Sequence, residues 1–167
     1  MIDPAFVRLM ARYNLWQNQN VCQAADILPD AERRKDKGAF FKSIHGTLSH
    51  VLWADGMWLS RISDASPPSA KLAESASAYT DWAMLTNERA ECDARLVEWA
   101  DGLDATWLEG DLKWWSGAAQ KEVVRPKTLV LVHIFNHQTH HRGQVHAMLT
   151  SSGVKLNDTD LLLMPNE

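Results

Sequence analysis

Apolar residues return at helical spacing along most of this chain, and the breaks in that rhythm divide it into four long segments. Asp3-Pro4 sets a capping acid before a proline whose fixed φ suits the first helical turn, and Val7, Met10, Tyr13, Trp16 and Val21 continue the pattern. A first helix is predicted from about Pro4 to Ile27. After Leu28-Pro29 the charged stretch Asp30 to Lys37 reads as a solvated connection. From about Phe40 to Ile62, the residues Ile44, Leu48, Val51, Leu52, Leu59 and Ile62 share one side and predict a second helix. Ser63 to Ser77 is rich in Ser, Ala and Pro, with Pro67-Pro68 in its middle, so a loop is expected. From Thr80 the series Trp82, Leu85, Arg89, Cys92, Leu96, Trp99 and Leu103 has the spacing of a bundle seam with Arg89 in one position, and Gly102 marks its stop. Asp104 to Arg125 holds Gly110, Gly117, three tryptophans and Val123-Val124, which favours a hairpin or ordered loop. Pro126 opens a last helix that runs to Ser151-Ser152-Gly153, and the apolar run Leu161-Leu162-Leu163-Met164 is expected to pack back on the bundle.

With 8 Gly and 6 Pro in 167 residues, the composition also favours few, long elements. The expected fold is all-α: one domain over residues 1–167, a four-helix bundle with a short hairpin or irregular insert between the third and fourth helices. Hydrophobic residues make up 46% and charged residues 23%, enough apolar material for a core. The net charge of −4 argues against a broad nucleic-acid or anionic-membrane footprint. The start lacks a basic segment followed by an apolar one, and no stretch approaches about eighteen uninterrupted apolar residues. A soluble, cytoplasmic protein that binds neither membrane nor nucleic acid is therefore expected. Cys22 and Cys92 fall in helical patterns without CxxC spacing and read as buried free thiols. GxGxxG, GxxxxGK[ST] and GxSxG are all missing, which removes the simplest nucleotide-binding and serine-hydrolase readings.

Five of the 7 histidines, His133, His137, His140, His141 and His146, fall in the last helical stretch. With His133 at zero on a helical wheel, His137 and His141 fall at about 40° and about 80°, bordering the apolar face, while His146 points elsewhere. An i, i+4 pair puts two imidazoles on adjacent turns, as in HExxH metal helices, but His137-Gln138-Thr139-His140-His141 lacks the glutamate that serves such enzymes as base. A third ligand would come from His45 or His50 on the second helix. Of these, His50 shares an arc with Ala54, Met57 and Trp58, and His45 lies away from it. The spacing also fits core or surface histidines with no metal. Three neutral imidazoles with an open fourth position would suit Zn²⁺, and imidazole also suits Ni²⁺, Fe²⁺ or Mn²⁺.

Two stretches, His50-Val51-Leu52-Trp53-Ala54-Asp55 with Trp58-Leu59, and His133 through Gln144, resemble the signature segments of the DinB/YfiT-like family. Tyr13-Asn14-Leu15-Trp16 and the late Asp160-Leu161 match as well, so the resemblance covers nearly the whole chain. It implies a four-helix bundle, often dimeric, with a divalent metal held by three histidines that correspond to His50, His137 and His141. Zn²⁺ or Ni²⁺ is the first expectation, with Fe²⁺ or Mn²⁺ as alternatives. The resemblance further implies a metal-dependent hydrolase or low-molecular-weight-thiol S-transferase acting on a small molecule, in a homodimer. A metal- or thiol-binding sensor without turnover, and a helical dimerisation protein with an incidental metal, are the other readings. His133 and His140 are the candidates to stand beside such a metal without ligating it. Most of the tryptophans read as packing, while Trp107, Trp114 and Trp115 could line the metal pocket or anchor the insert. Gly143 inside a helix suggests close approach of a neighbouring helix. Asp55 and Arg142 fall inside apolar arcs and must find partners: each other, or residues such as Asn14 or Arg89.

Overall fold

The computed structural model describes residues 2–165; Met1, Asn166 and Glu167 of the expected 1–167 span lie outside them. Four long helices carry the fold: α1 (Pro4–Asp26), α3 (Ile44–Ile62), α4 (Trp82–Asp101) and α5 (Lys127–Ser151), with a short α2 (Asp30–Arg34) after the first. A two-stranded antiparallel sheet, β1 (Asp111–Ser116) and β2 (Lys121–Pro126), joins α4 to α5. The all-α expectation with a hairpin insert therefore describes the architecture. Both α1 and α3 pack against α4 and α5, so α1 faces α3 across a shared core, and α4 faces α5.

Each long helix begins where the sequence supplies a start signal. Asp3 accepts from the Phe6 amide (2.8 Å) ahead of Pro4, Ser43 caps α3 by accepting from Gly46 N (3.0 Å), and Asp81 caps α4 by accepting from Met84 N (2.8 Å). On α1 the buried residues Val7, Ala11, Asn14, Asn18, Val21 and Ala25 keep an alternating 4-3 spacing, the seam that faces the core. Fourteen residues of α3 are buried, as expected of a helix covered on several sides.

Several boundaries differ from the sequence reading. The second long helix begins at Ile44 rather than Phe40. Lys42 adopts φ 66°, and an Ala39–Lys42 bridge closes a tight turn that Ser43 then ends with its cap. Asp30–Arg34 is helical rather than a solvated link, because Arg33 turns inward: its guanidinium donates to the carbonyls of Leu28 and Ala25 and lies 4.4 Å from the centre of the Trp82 ring. The Ser63–Ser77 loop includes a 3₁₀ turn at Leu72–Ser77. The tail does not dock through Leu161–Met164, where Leu162 is 96% exposed. Instead Val154 and Leu156 pack on the core, Tyr13 Oη donates to Thr159 O (2.6 Å), and Gln17 Nε2 donates to Asp158 O (3.1 Å). Gly143 lies on an exposed face with open space where a side chain would stand, so no close helix approach requires it. Cys92 is buried and Cys22 half-buried, and burial pushes both thiols up to about 12.

A polar network crosses the core and settles the partners of the buried charges. Arg89 on α4 pairs with Asp55 on α3 (2.5 Å) and grips Asp93 with two nitrogens (2.7 and 3.1 Å). Asn18 Nδ2 on α1 donates to Asp93 (2.9 Å) and to Gln138 Oε1 on α5 (3.2 Å), which also accepts from Arg142 (2.8 Å). Asp55 and Arg142 thus do not pair directly: Arg89 reaches Asp55 first, and Arg142 lies nearer Gln138, with its guanidinium 5.5 Å from the centre of the Tyr13 ring. Burial raises the Asp55 carboxyl to about 6 against the pull of Arg89, and raises Asp93 as well.

Candidate metal centre

The packing of α3 beside α5 brings His50 to the two-turn face that carries His137 and His141. One ring nitrogen from each lies within 4.8 Å of the others, the one grouping of three potential metal-ligand residues among the described residues. Ring centres stand 4.5 Å apart for His137–His141, 5.0 Å for His50–His141 and 5.4 Å for His50–His137. His50 and His141 are buried and His137 partly so.

Two of the rings are oriented from behind. The amide oxygen of Gln144 accepts from Nδ1 of His141 (2.8 Å), which leaves Nε2 of that ring with a lone pair. Nδ1 of His50 is hydrogen-bonded to the hydroxyl of Ser75 (2.9 Å), which holds the ring in place; when Nδ1 is the donor, Nε2 carries the lone pair. Ser75 is held in turn, because its carbonyl accepts from Ser49 Oγ on α3 (2.8 Å), pinning the Leu72–Ser77 turn to that helix. His137 differs, since its Nδ1 is buried and has no hydrogen-bond partner among the described residues. The Phe41 ring stacks on His50 at 3.8 Å and lies 5.5 Å from His141. Glycine at 46 permits this arrangement: a Cβ there would meet the Phe41 carbonyl at 2.6 Å and push the turn off the helix.

The electrostatics keep these rings neutral. Burial lowers His50 to about 4, aided by repulsion from His141, and lowers His137 to about 3, aided by the neighbouring histidines. His141 is also lowered, chiefly by burial, against the bond to Gln144. No carboxylate is among the charges acting on the three. At neutral pH the cluster presents three neutral imidazoles with one ring nitrogen of each within 4.8 Å of the others, and Nδ1 of His137 is buried without a partner among the described residues. That donor set fits a divalent ion of the imidazole-binding kind, and His50, His137 and His141 could hold it.

The other histidines fall where the spacing put them or farther out. His45 turns away, its Nε2 2.7 Å from Tyr79 O. His133 and His140 are exposed and flank the cluster, with ring centres 5.7 Å from His137 and 4.9 Å from His141 respectively. Sequence reasoning missed Ser75 and Phe41. Ser75 sits in a stretch read as irregular loop, and Phe41 was placed inside a helix; neither carries a local signal for its role. Gln144 was not singled out either, although its place three residues past His141 on one helix face is a signal that spacing carries. The insert tryptophans divide: Trp107 packs on Trp99 (5.1 Å), Trp114 on Trp58 (5.4 Å), and Trp115 is 64% exposed.

A helical bundle with three converging histidines on its second and fourth long helices defines a class of bundle proteins that could hold a metal ion. The profile of the DinB family matches residues 1–167, and the chain belongs to that family. It is 29% identical over 165 residues to Protein DinB of Bacillus subtilis (strain 168), covering 96% of this chain and 92% of that one. The crystal structure of a DinB-like protein from Bacillus cereus ATCC 10987 is similar in fold, with a TM-score of 0.62 and 16% identity over 86% of this chain and 90% of that one. Among the described residues no helix is long and apolar enough to cross a membrane.

Proposed function

We propose that this protein is a metal-dependent S-transferase that joins a low-molecular-weight thiol to a small electrophilic substrate, with His50, His137 and His141 holding a divalent ion, Zn²⁺ or Ni²⁺ before Fe²⁺ or Mn²⁺. The observation that carries the reading is the convergence of three neutral imidazoles within 4.8 Å with no carboxylate acting on them. When bound, such an ion is a Lewis acid that lowers the pKa of a thiol or water at its open position. A thiol activated in this way needs no strong protein base, which suits a site without a carboxylate.

The chain's own groups do the rest. Ser75 and Gln144 fix two ring orientations, and Phe41 and Trp53, stacked on His50 at 3.8 and 6.2 Å, shield that side from water. His133, whose pKa is lowered by partial desolvation against Trp58, is a neutral imidazole beside His137 and would take up the thiol proton before passing it to solvent. The thiol sulfur forms the new bond to an electrophilic carbon of the substrate, and the leaving group departs with its bonding electron pair. His133 and His140 also favour a second reading as a hydrolase, in which one of them would assist a bound water.

Turnover separates the readings. Protein stripped with a chelator and reloaded with Zn²⁺ or Ni²⁺ is assayed against thiol–electrophile pairs and activated esters. Thiol-dependent product from the reloaded protein alone supports the transferase; ester cleavage without thiol supports the hydrolase. Retention of metal with neither activity overturns the enzyme reading in favour of a sensor. We extend the proposal to a homodimer, on the supply of exposed apolar side chains such as Ile27, Phe40 and Leu162. Light scattering showing a monomer at micromolar concentration would overturn that part.

A further inference from the structure

Beside the histidine cluster lies a cavity of about 330 Å³ between the β-hairpin and the bundle, with apolar walls formed by Trp58, Trp114, Val123, Leu129 and Val130. The hairpin register explains one wall, because Trp114 pairs with Val123 and the alternation along β1 turns Leu112 and Trp114 inward while Lys113 and Trp115 face solvent. Trp58 forms the bridge to the cluster, packing edge-on against Trp114 at 5.4 Å and against His133 at 5.3 Å. His133 belongs to the cavity lining and stands next to His137. The space is a cleft open to solvent between hairpin and bundle, with Leu129 and Arg125 exposed at its edge, so a small molecule can enter it. Its volume falls at the lower end of the range for small-molecule sites, which are mostly apolar with a few placed polar groups.

Besides the imidazole of His133, the polar groups here are cationic. Arg125 lines the cavity, and Arg61 spans the faces of Trp58 (4.5 Å) and Trp114 (5.6 Å). Neither has a carboxylate partner among the described residues. Arg125 donates one N–H to Val124 O (2.7 Å) and keeps its charge free of any carboxylate among the described residues, so an apolar cleft edged by these guanidinium groups selects an organic anion with an apolar body.

Resting on the metal-dependent reading above, we propose that this cavity receives the apolar body of the substrate, a small aromatic or branched organic acid, with its reactive end beside the histidine cluster and its anionic group toward Arg125. The hairpin is then the part of the fold that sets specificity, with Trp58 and Trp114 contacting the substrate directly.

The probe is 4-(trifluoromethyl)benzoate, with its neutral benzamide as comparison, observed by fluorine NMR against protein loaded with Co²⁺ as a paramagnetic stand-in for Zn²⁺. The benzoate is expected to bind more tightly than the amide and to show enhanced fluorine relaxation from the nearby cobalt. Val123→Trp and Leu129→Trp, which fill the cavity from opposite walls, should each abolish binding while leaving cobalt uptake and the melting transition in place. Arg125→Gln should weaken the benzoate by roughly twofold to fivefold and leave the amide unchanged. Absence of benzoate binding, or binding that survives in whichever filled variant remains folded, overturns the cavity assignment while the metal reading stands. Binding without relaxation enhancement in protein that holds cobalt overturns the link between cavity and cluster. Failure to take up cobalt at all sinks the metal reading, and with it the cavity's role beside a metal, even if the benzoate binds.

Discussion

Two groups of buried polar side chains sit in this bundle, and they are arranged on opposite principles. In the network through Asp55, Arg89, Asp93, Asn18, Gln138 and Arg142, unlike groups meet: carboxylate faces guanidinium, and amide oxygen faces N–H. In the cluster of His50, His137 and His141, like meets like: lone-pair nitrogens face one another, and their hydrogen bonds point outward to Ser75 and Gln144. A network that pairs its charges from within holds helices together, even though Asp55 Oδ1 and Gln138 Nε2 are left without a partner among the described residues. A cluster whose acceptors converge without a donor is built to receive something from outside.

The largest effect should come from breaking the network at its hub. Arg89→Met leaves Asp55 and Asp93 buried without their cation, and is expected to cost about 3–5 kcal/mol in denaturant unfolding, as removal of one partner from a buried pair typically does. A loss under about 1 kcal/mol would show that the pairing does not hold the core. Removing His137, by contrast, should leave the metal-free fold nearly as stable as before, because its buried Nδ1 has no hydrogen-bond partner among the described residues.

The two regions should also respond to acid with opposite sign. In the folded protein His50 and His137 are held down at about 4 and about 3, against an ordinary value of 6.5. Below pH 6.5 the unfolded chain takes up protons that the folded rings refuse, so these histidines lower stability as the pH falls through that window. Asp55 runs the other way. Its folded carboxyl, raised from 3.8 to about 6, holds a proton the unfolded chain has released, a contribution present at low pH and lost as the pH rises through about 6. Metal-free wild type should therefore lose stability between pH 6.5 and pH 4, and the His50→Gln/His137→Gln variant should lose clearly less. Equal slopes in chemical unfolding across that window would contradict the assignment of the acid sensitivity to the cluster.

The smallest effect lies outside both regions. Gly143→Ala places a methyl group in open space on an exposed helix face and should stabilise the fold by about 0.5–1 kcal/mol without altering metal uptake. Destabilisation by this change would mean that a neighbour does approach there.

The bundle was legible in the sequence because its signals are local. Asp3-Pro4, the three-and-four spacing through Leu85, Cys92 and Leu96, and the glycines and tryptophans before Pro126 each mark an element without reference to distant residues. His137 and His141 were legible for the same reason, four residues apart on one helix. What escaped depends on tertiary packing. Arg33 turns inward because Trp82 and two carbonyls lie there to receive it. Ser75 reaches His50 because a turn twenty-five residues later folds back on α3. Asp55 chose Arg89 over Arg142 by distance across the core, which no helical wheel of a single helix contains.

The most direct test is metal stoichiometry. Protein stripped with a chelator is titrated with Zn²⁺, and the tightly bound metal is measured by elemental mass spectrometry for wild type, for the triple variant His50→Ala/His137→Ala/His141→Ala, and for His146→Ala, which alters a histidine outside the cluster. The expected result is about one ion per chain in wild type and His146→Ala, and almost none in the triple variant. One tightly held ion in the triple variant, or none in wild type, would contradict the account.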